Sequence, residues 1–193
     1  MKIVLIRHFK TKGNLEHRYV GTTDEELLPV TTIGYYEEVE HVYVSPLKRC
    51  IQTMQIIYPK HPYQVVEAFK ECDFGDFEYK NYLELSKDPD YQAWIDANGM
   101  ARFPNGEFPK HFKMRCQNAF LNSIQECINQ QIESVAFVVH GGTIMSIMEC
   151  FANEQKSYYD YQVKNGAGFV LTLKEEEFMK KKYILYKEKE IKV

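Results

Sequence analysis

Apolar residues in this chain fall into short dense runs, separated by longer stretches with helical spacing. The runs are Lys2–Ile6, about His41–Val44, Gln64–Val66, Ser134–Val139, Gly168–Leu173 and Tyr183–Tyr186. Each reads as a strand. SVAFVV at 134–139 is apolar throughout after its serine, as expected of a strand covered on both faces in a parallel sheet. The last two runs suit an antiparallel edge. Helices are predicted at Leu47–Tyr58, Tyr79–Ser86, Asp90–Ala97, Lys110–Gln131 and Thr143–Phe151. In the fourth of these, Phe112, Cys116, Phe120, Ile124 and Ile128 recur at helical spacing and form a core-facing stripe. Strands alternating with helices predict an α/β fold.

One crossover is short. Between the turn Thr31-Thr32-Ile33-Gly34 and the second strand lie only Tyr35 to Glu40, and three of these are the acids Glu37, Glu38 and Glu40. A parallel crossover ordinarily takes about 10–12 residues or more. At most one or two helical turns are expected here, which leaves part of one sheet face without its usual cover.

Composition narrows the class. At 193 residues, with no internal repeat, low-complexity segment or linker, residues 1–193 read as a single domain. The net charge of -3 gives no global field for nucleic acid. The five cysteines are odd in number and form no Cys-x-x-Cys pair, so they read as reduced thiols rather than a disulfide framework or a zinc site. The run Ile3–Ile6 is too short for a signal-peptide core, and no stretch approaches the ~20 apolar residues of a membrane span. A cytoplasmic protein with no membrane partner is expected.

Ligands of open α/β sheets bind beyond the carboxyl ends of the strands, so the residues after each strand matter most. Arg7 and His8 follow the first. Ser45-Pro46 follows the second and leads to a helix carrying Arg49. His140-Gly141-Gly142-Thr143 follows SVAFVV. Alone, each histidine would ordinarily be a surface or capping residue, and Arg49 a solvated charge. Together, three strands deliver two arginines and two histidines to one sheet edge. Arginine forks match phosphate oxygens. A neutral histidine is a covalent nucleophile, and a second histidine stabilises charge on the transferring group. Gly141 and Gly142 let the backbone approach an anion at a helix N-terminus. Two histidines beside two arginines make a poor cation site, so no metal is expected. An acid for the leaving group must come from KECDFGDFE, whose carboxylates are Glu71, Asp73, Asp76 and Glu78. Spacing does not choose among them, and a solvated acidic loop is the competing reading.

These segments resemble the histidine phosphatase superfamily, the phosphoglycerate mutase-like family. LIRHFKTKGN resembles its opening motif Arg-His-Gly-x-Thr-x-x-Asn, and VYVSPLKRCIQT its Ser-Pro-Leu-x-Arg-x-x-Gln-Thr. KECDFGDFE resembles the acidic motif of the phosphatase branch, VVHGGT the closing His-Gly-Gly, and PNGEF the Pro-Gly-Gly-Glu-Ser near the substrate entrance. The motifs run in the family's order from Lys2 to about Leu173. The resemblance implies a three-layer α/β/α sandwich around a mostly parallel sheet with an antiparallel edge strand. It implies His8 as phosphorylated nucleophile, Arg7, Arg49 and His140 around the phosphate, and Glu71, the first acid of its motif, as proton donor. It assigns Asn14, Gly21, Glu107 and Gly141 to substrate binding, and calls for no cofactor. The small α-ribazole phosphatases are similar in length and in the CDFGDFE segment.

The chain also departs from the family pattern. Phe9 stands where the family has glycine, its ring either crowding the pocket or turning away into the core. Lys10 adds charge near the site. Tyr79-Lys80 replaces Gly-Leu, Asn105 a glycine and Phe108 a serine. Tyr19, Phe9 and Phe108 are candidates for an aromatic rim. The expected activity is hydrolysis of a small phosphate monoester, by a monomer or homodimer. The alternatives are a mutase, which would need an acceptor, and a non-catalytic binder of phosphate esters, which would bind phosphate analogues without turnover.

Overall fold

A computed structural model describes residues 1–193. Six strands form one sheet: β1 (Lys2–Arg7), β2 (His41–Val44), β3 (Tyr63–Val65), β4 (Ser134–Val139), β5 (Gly168–Leu173) and β6 (Leu185–Ile191). Their order is β3-β2-β4-β1-β5-β6. The first four are parallel; β5 pairs antiparallel with β1, and β6 antiparallel with β5. The helices are α1 (Lys12–Leu15), α2 (Lys48–Ile57), α3 (Tyr82–Leu85), α4 (Pro89–Asp96), α5 (Pro109–Asn129), α6 (Gly141–Phe151) and α7 (Glu175–Met179). None is long and apolar enough to cross a membrane.

Alternation along the central strands builds two cores. Ile3, Leu5, Val135, Phe137 and Val139 point to one face, where Phe120 and Ile124 of α5 and Ile144, Ile147 and Met148 of α6 cover them. Val4, Ile6, Val42, Val44, Ala136 and Val138 point to the other, against Cys50 and Met54 of α2. The result is the expected helix–sheet–helix sandwich. A third, smaller cluster joins Phe77, Leu85, Tyr91 and Phe103 to Phe112 and Cys116 of α5.

The short crossover contains no helix at all. Residues 28–39 run as a strap with neither helix nor strand. Val39 is buried in the second core and Tyr36 packs against it, so the strap supplies cover without a helix. The acids act as its anchors. Glu37 pairs with Lys2 at 3.2 Å and with Lys189, and its carbonyl accepts from Tyr58 Oη at 2.9 Å.

Strand β6 begins and ends later than Tyr183–Tyr186. Its KEKE centre hides it from an apolar search, yet an edge strand pairs on one side only and tolerates such charges. Helix α3 starts three residues later than expected because Asn81 caps it, accepting from the backbone of Leu83 and Glu84. Helix α6 starts earlier, at Gly141, with His140 as its N-cap.

Candidate active site

Sheet register places the site. Arg7 pairs with Val139, and the His8 amide donates to the Val139 carbonyl at 3.0 Å. His8 and His140 therefore leave adjacent strands at the same level, with ring centroids 5.2 Å apart and planes at 66°. Val44 pairs with Val138 on the far side of β4, so Ser45 arrives beside His140. Its Oγ lies 2.7 Å from His140 Nε2.

His8 is 3% exposed and His140 0%. His8 Nδ1 lies 2.6 Å from the Phe9 carbonyl. A carbonyl can only accept, so Nδ1 carries the proton and Nε2 keeps its lone pair. Burial, then the charges of Arg49 and Arg7, pushes the His8 pKa well below its ordinary 6.5. His140 shifts the same way, by burial first and then by Arg49 and His8.

The two arginines are oriented by backbone carbonyls. Arg49 is fully buried, its Nη1 donating to Thr23 O at 2.7 Å and its Nη2 to Gly21 O at 2.8 Å and Val20 O at 3.3 Å. Arg7 Nη1 donates to Val163 O at 2.7 Å. The Nε of each is buried without a protein partner, a donor suited to an anion. The loop around Arg49 is tied down by Glu78, whose Oε1 accepts from the amides of Gly21 and Thr23, each at 2.9 Å.

Glu71 is the carboxylate of its segment that reaches this place. Its Oε1 accepts from the Cys72 amide at 3.0 Å and its Oε2 from the Gly142 amide at 3.1 Å, in the first turn of α6. Burial raises its pKa above the ordinary 4.5, against those two donors and the charges of Arg49 and Arg7. A Cβ on Gly142 would sit 2.4 Å from Glu71 Oε1, so only glycine allows this contact. Arg115 braces the segment from behind, donating to the carbonyls of Ala68, Lys70 and Glu71.

A cavity of about 820 Å³ opens over these groups. Arg7, His8, Asn14, Glu71 and Gly141 line it, while Arg49 and His140 lie beneath. Two expected substrate contacts do not reach it. Glu107 Oε1 and Oε2 each accept from Arg115 at 2.8 Å, so this acid supports the brace on the Glu71 segment. Gly21 gives its amide to Glu78 and its carbonyl to Arg49, and a Cβ there would meet the Cys72 carbonyl at 2.1 Å.

Six strands, two helix layers, the paired histidines and the motif order now stand together. The family model of the histidine phosphatase superfamily (branch 1) matches residues 3–184. The chain belongs to that superfamily. It is 26% identical over 182 residues to a broad-specificity phosphatase of Saccharomyces cerevisiae, covering 86% of this chain and 76% of that one. It is 31% identical over 163 residues to phosphoglycerate mutase-like protein 4 of Arabidopsis thaliana, covering 77% and 70%. Its fold matches the crystal structure of a putative α-ribazole-5′-P phosphatase from Escherichia coli, with a TM-score of 0.82 and 20% identity over 97% and 94% of the two chains.

As a histidine phosphatase the chain keeps its groups despite its departures. Phe9 turns away from His8: its ring meets Tyr36 at 6.4 Å and packs over Gly166, while its amide donates to Thr53 Oγ1. Asn105 adopts φ 55°, a left-handed position that asparagine tolerates. Tyr79 adopts φ 58°, with its hydroxyl on Glu25 Oε1 at 2.8 Å and Arg18 over its ring. Of the three aromatics expected at the rim, only Tyr19 lines the cavity. Phe108 packs on His111. The apolar wall comes instead from Phe74, Trp94, Phe103 and Tyr158. Asn165 was also not foreseen. Its Nδ2 donates to His8 O and to Asn14 Oδ1, fixing both, and nothing in the sequence around KNGAG marks it.

Proposed function

We propose that this chain is a phosphomonoester hydrolase working through phosphohistidine at His8, with arginines rather than a metal supplying positive charge. The observation that carries the reading is the tautomer of His8. Its proton is pinned on Nδ1 by Phe9, which leaves Nε2 as a nucleophile beside the buried Arg49 and the half-buried Arg7. Nε2 attacks phosphorus and the ester P–O bond breaks. Glu71, whose pKa burial raises, gives its proton to the leaving oxygen. Water then attacks phosphorus and gives a proton to Glu71, the P–N bond breaks, and phosphate leaves. Arg7, Arg49, His140 and Asn14 offset charge on the non-bridging oxygens throughout. The apolar wall of Tyr19, Phe74 and Trp94 suits a flat or apolar leaving group, and α-ribazole 5′-phosphate is one ester of that kind.

Replacing His8 with alanine is expected to lower phosphate release from a phosphomonoester panel by at least about a thousandfold. It should also abolish acid-labile labelling of the protein. Turnover near the wild-type rate in His8→Ala would overturn the proposal. The likeness to a mutase-like relative gives a second reading, in which phosphate stays on His8 until an acceptor arrives. Release of inorganic phosphate without an acceptor separates the two.

A further inference from the structure

The turn that precedes β5 is laced to the end of β1. The Arg7 amide donates to Ala167 O at 2.9 Å, and the Gly166 amide to the carbonyls of Arg7 and His8 at 3.0 and 3.1 Å. Gly166 takes φ 79°, in the left-handed region that glycine enters without strain. This turn sets Asn165 beside His8 and Asn14, although 157 and 151 positions separate it from them in the chain.

Two backbone groups then fix the direction of two side-chain amides. The His8 carbonyl can only accept, so the end of Asn165 that faces it at 3.1 Å is the amino group, Nδ2. That same group lies 3.0 Å from the Asn14 side chain. It has only hydrogens to give, so Asn14 presents Oδ1 to it. The Thr11 amide, 3.2 Å from this oxygen, can likewise only donate. Turning Asn14 over would set its amino group against two donors. Turning Asn165 over would set its oxygen against two oxygens. The main chain of Asn14 is held as well, its amide donating at 3.3 Å to Oγ1 of the fully buried Thr11. With Oδ1 doubly engaged, Asn14 keeps both Nδ2 hydrogens for the catalytic cavity that it lines.

We infer that Asn165 is a positioning residue: it locks the Asn14 amide with its hydrogens toward the phosphate, so that Asn14 meets the anion as a preorganised donor and never as an acceptor. The inference rests on the phosphohistidine reading, which puts the phosphate at His8, and deepens it. His8 does not depend on Asn165, because Gly166 also donates to its carbonyl and Val139 accepts from its amide. The effect of Asn165 therefore passes through Asn14. The test is a double-mutant cycle of wild type, Asn14→Ala, Asn165→Ala and the two together. It is read by kcat/KM on p-nitrophenyl phosphate and by the calorimetric Kd of inorganic phosphate. Asn14→Ala should lower kcat/KM by roughly a hundredfold. Asn165→Ala should lower it by about tenfold and weaken phosphate by a similar factor, since the Thr11 amide still holds one side of Asn14. In the Asn14→Ala background, the same change should alter either quantity by less than about twofold. Asn165→Asp keeps the shape but sets an oxygen where each donor stood, so it should do no better than alanine. Wild-type values in Asn165→Ala, a loss that persists undiminished in the Asn14→Ala background, or recovery in Asn165→Asp would overturn the positioning role. Turnover of p-nitrophenyl phosphate by His8→Ala would instead count against the phosphohistidine reading, because the phosphate affinities do not depend on it.

Discussion

At the scale of single residues, two titratable groups are pushed in opposite directions within one cavity. In the proposed mechanism His8 attacks as a neutral ring, and burial beside Arg49 and Arg7 holds its pKa well below 6.5. The proposed donor Glu71 acts when protonated, and burial raises its pKa above 4.5. The mechanism predicts an acid limb of activity from protonation of His8, below pH 6.5. It predicts an alkaline limb from ionisation of Glu71, above pH 4.5. Glu71→Gln is expected to lower kcat by roughly a hundredfold to ten-thousandfold and to erase the alkaline limb of the kcat/KM profile while the acid limb stays. An unchanged alkaline limb in that variant would remove Glu71 from the role of acid. The sequence exposed His8, Arg7, Arg49 and His140 because each follows a strand or opens a helix. It did not single out Glu71 without the family pattern, since four carboxylates share one irregular segment. The choice is made by the Gly142 amide, which belongs to a helix 71 positions away.

At the scale of elements, the strap at 28–39 and Phe9 are two halves of one substitution. The missing crossover helix would have covered the sheet face that Tyr36 and Val39 now cover. Phe9, 4% exposed, fills the space between Tyr36 and Gly166. A glycine there would leave that space open. Phe9→Ala is accordingly expected to cost about 3–5 kcal/mol of stability while kcat on p-nitrophenyl phosphate stays within about threefold, because the ring faces away from His8 and the amide still reaches Thr53. Urea denaturation beside steady-state kinetics measures both. A large fall in kcat with little loss of stability would show that the ring belongs to the active site after all. The existence of the helices was legible from their apolar stripes, and their boundaries less so. A cap such as Asn81 decides where a helix starts, and it acts only once the chain before it has been positioned.

At the scale of the whole molecule, burying two histidines ties stability to pH. His8 and His140 are held neutral in the fold, with pKa values lowered well below the 6.5 expected when unfolded. As pH falls through 6.5 the unfolded chain takes up protons that the native state refuses, so stability drops. Glu71 has the opposite sign: its raised pKa favours the fold below pH 4.5, and that share is lost as pH rises through its native value. Between pH 7 and 5 the histidines set the trend, with a slope of up to about 1.4 kcal/mol per pH unit for each. Urea midpoints across this range should fall toward acid, and His8→Gln should flatten the fall in part, while His140 and the less buried His41, whose pKa burial also lowers, keep the rest. An equally steep fall in His8→Gln would show that the acid sensitivity arises elsewhere.

The sequence by itself determined the alternation of strand and helix, the two faces of the sheet and the groups delivered to its carboxyl edge. Those follow from periodicities of two and 3.6 and from what stands next to each run, which are properties of neighbours in the chain. Only the tertiary structure decided which groups meet. The parallel register of β1 and β4 puts His8 beside His140, and the order β2-β4-β1 brings Ser45 in from the far side. Glu78 claims Gly21 and Asn165 ties His8 to Asn14, each across a long separation in the chain, while Arg115 turns back from α5 to claim Glu107 just before that helix. Such contacts depend on through-space distance set by sheet order and helix packing, which no local pattern encodes.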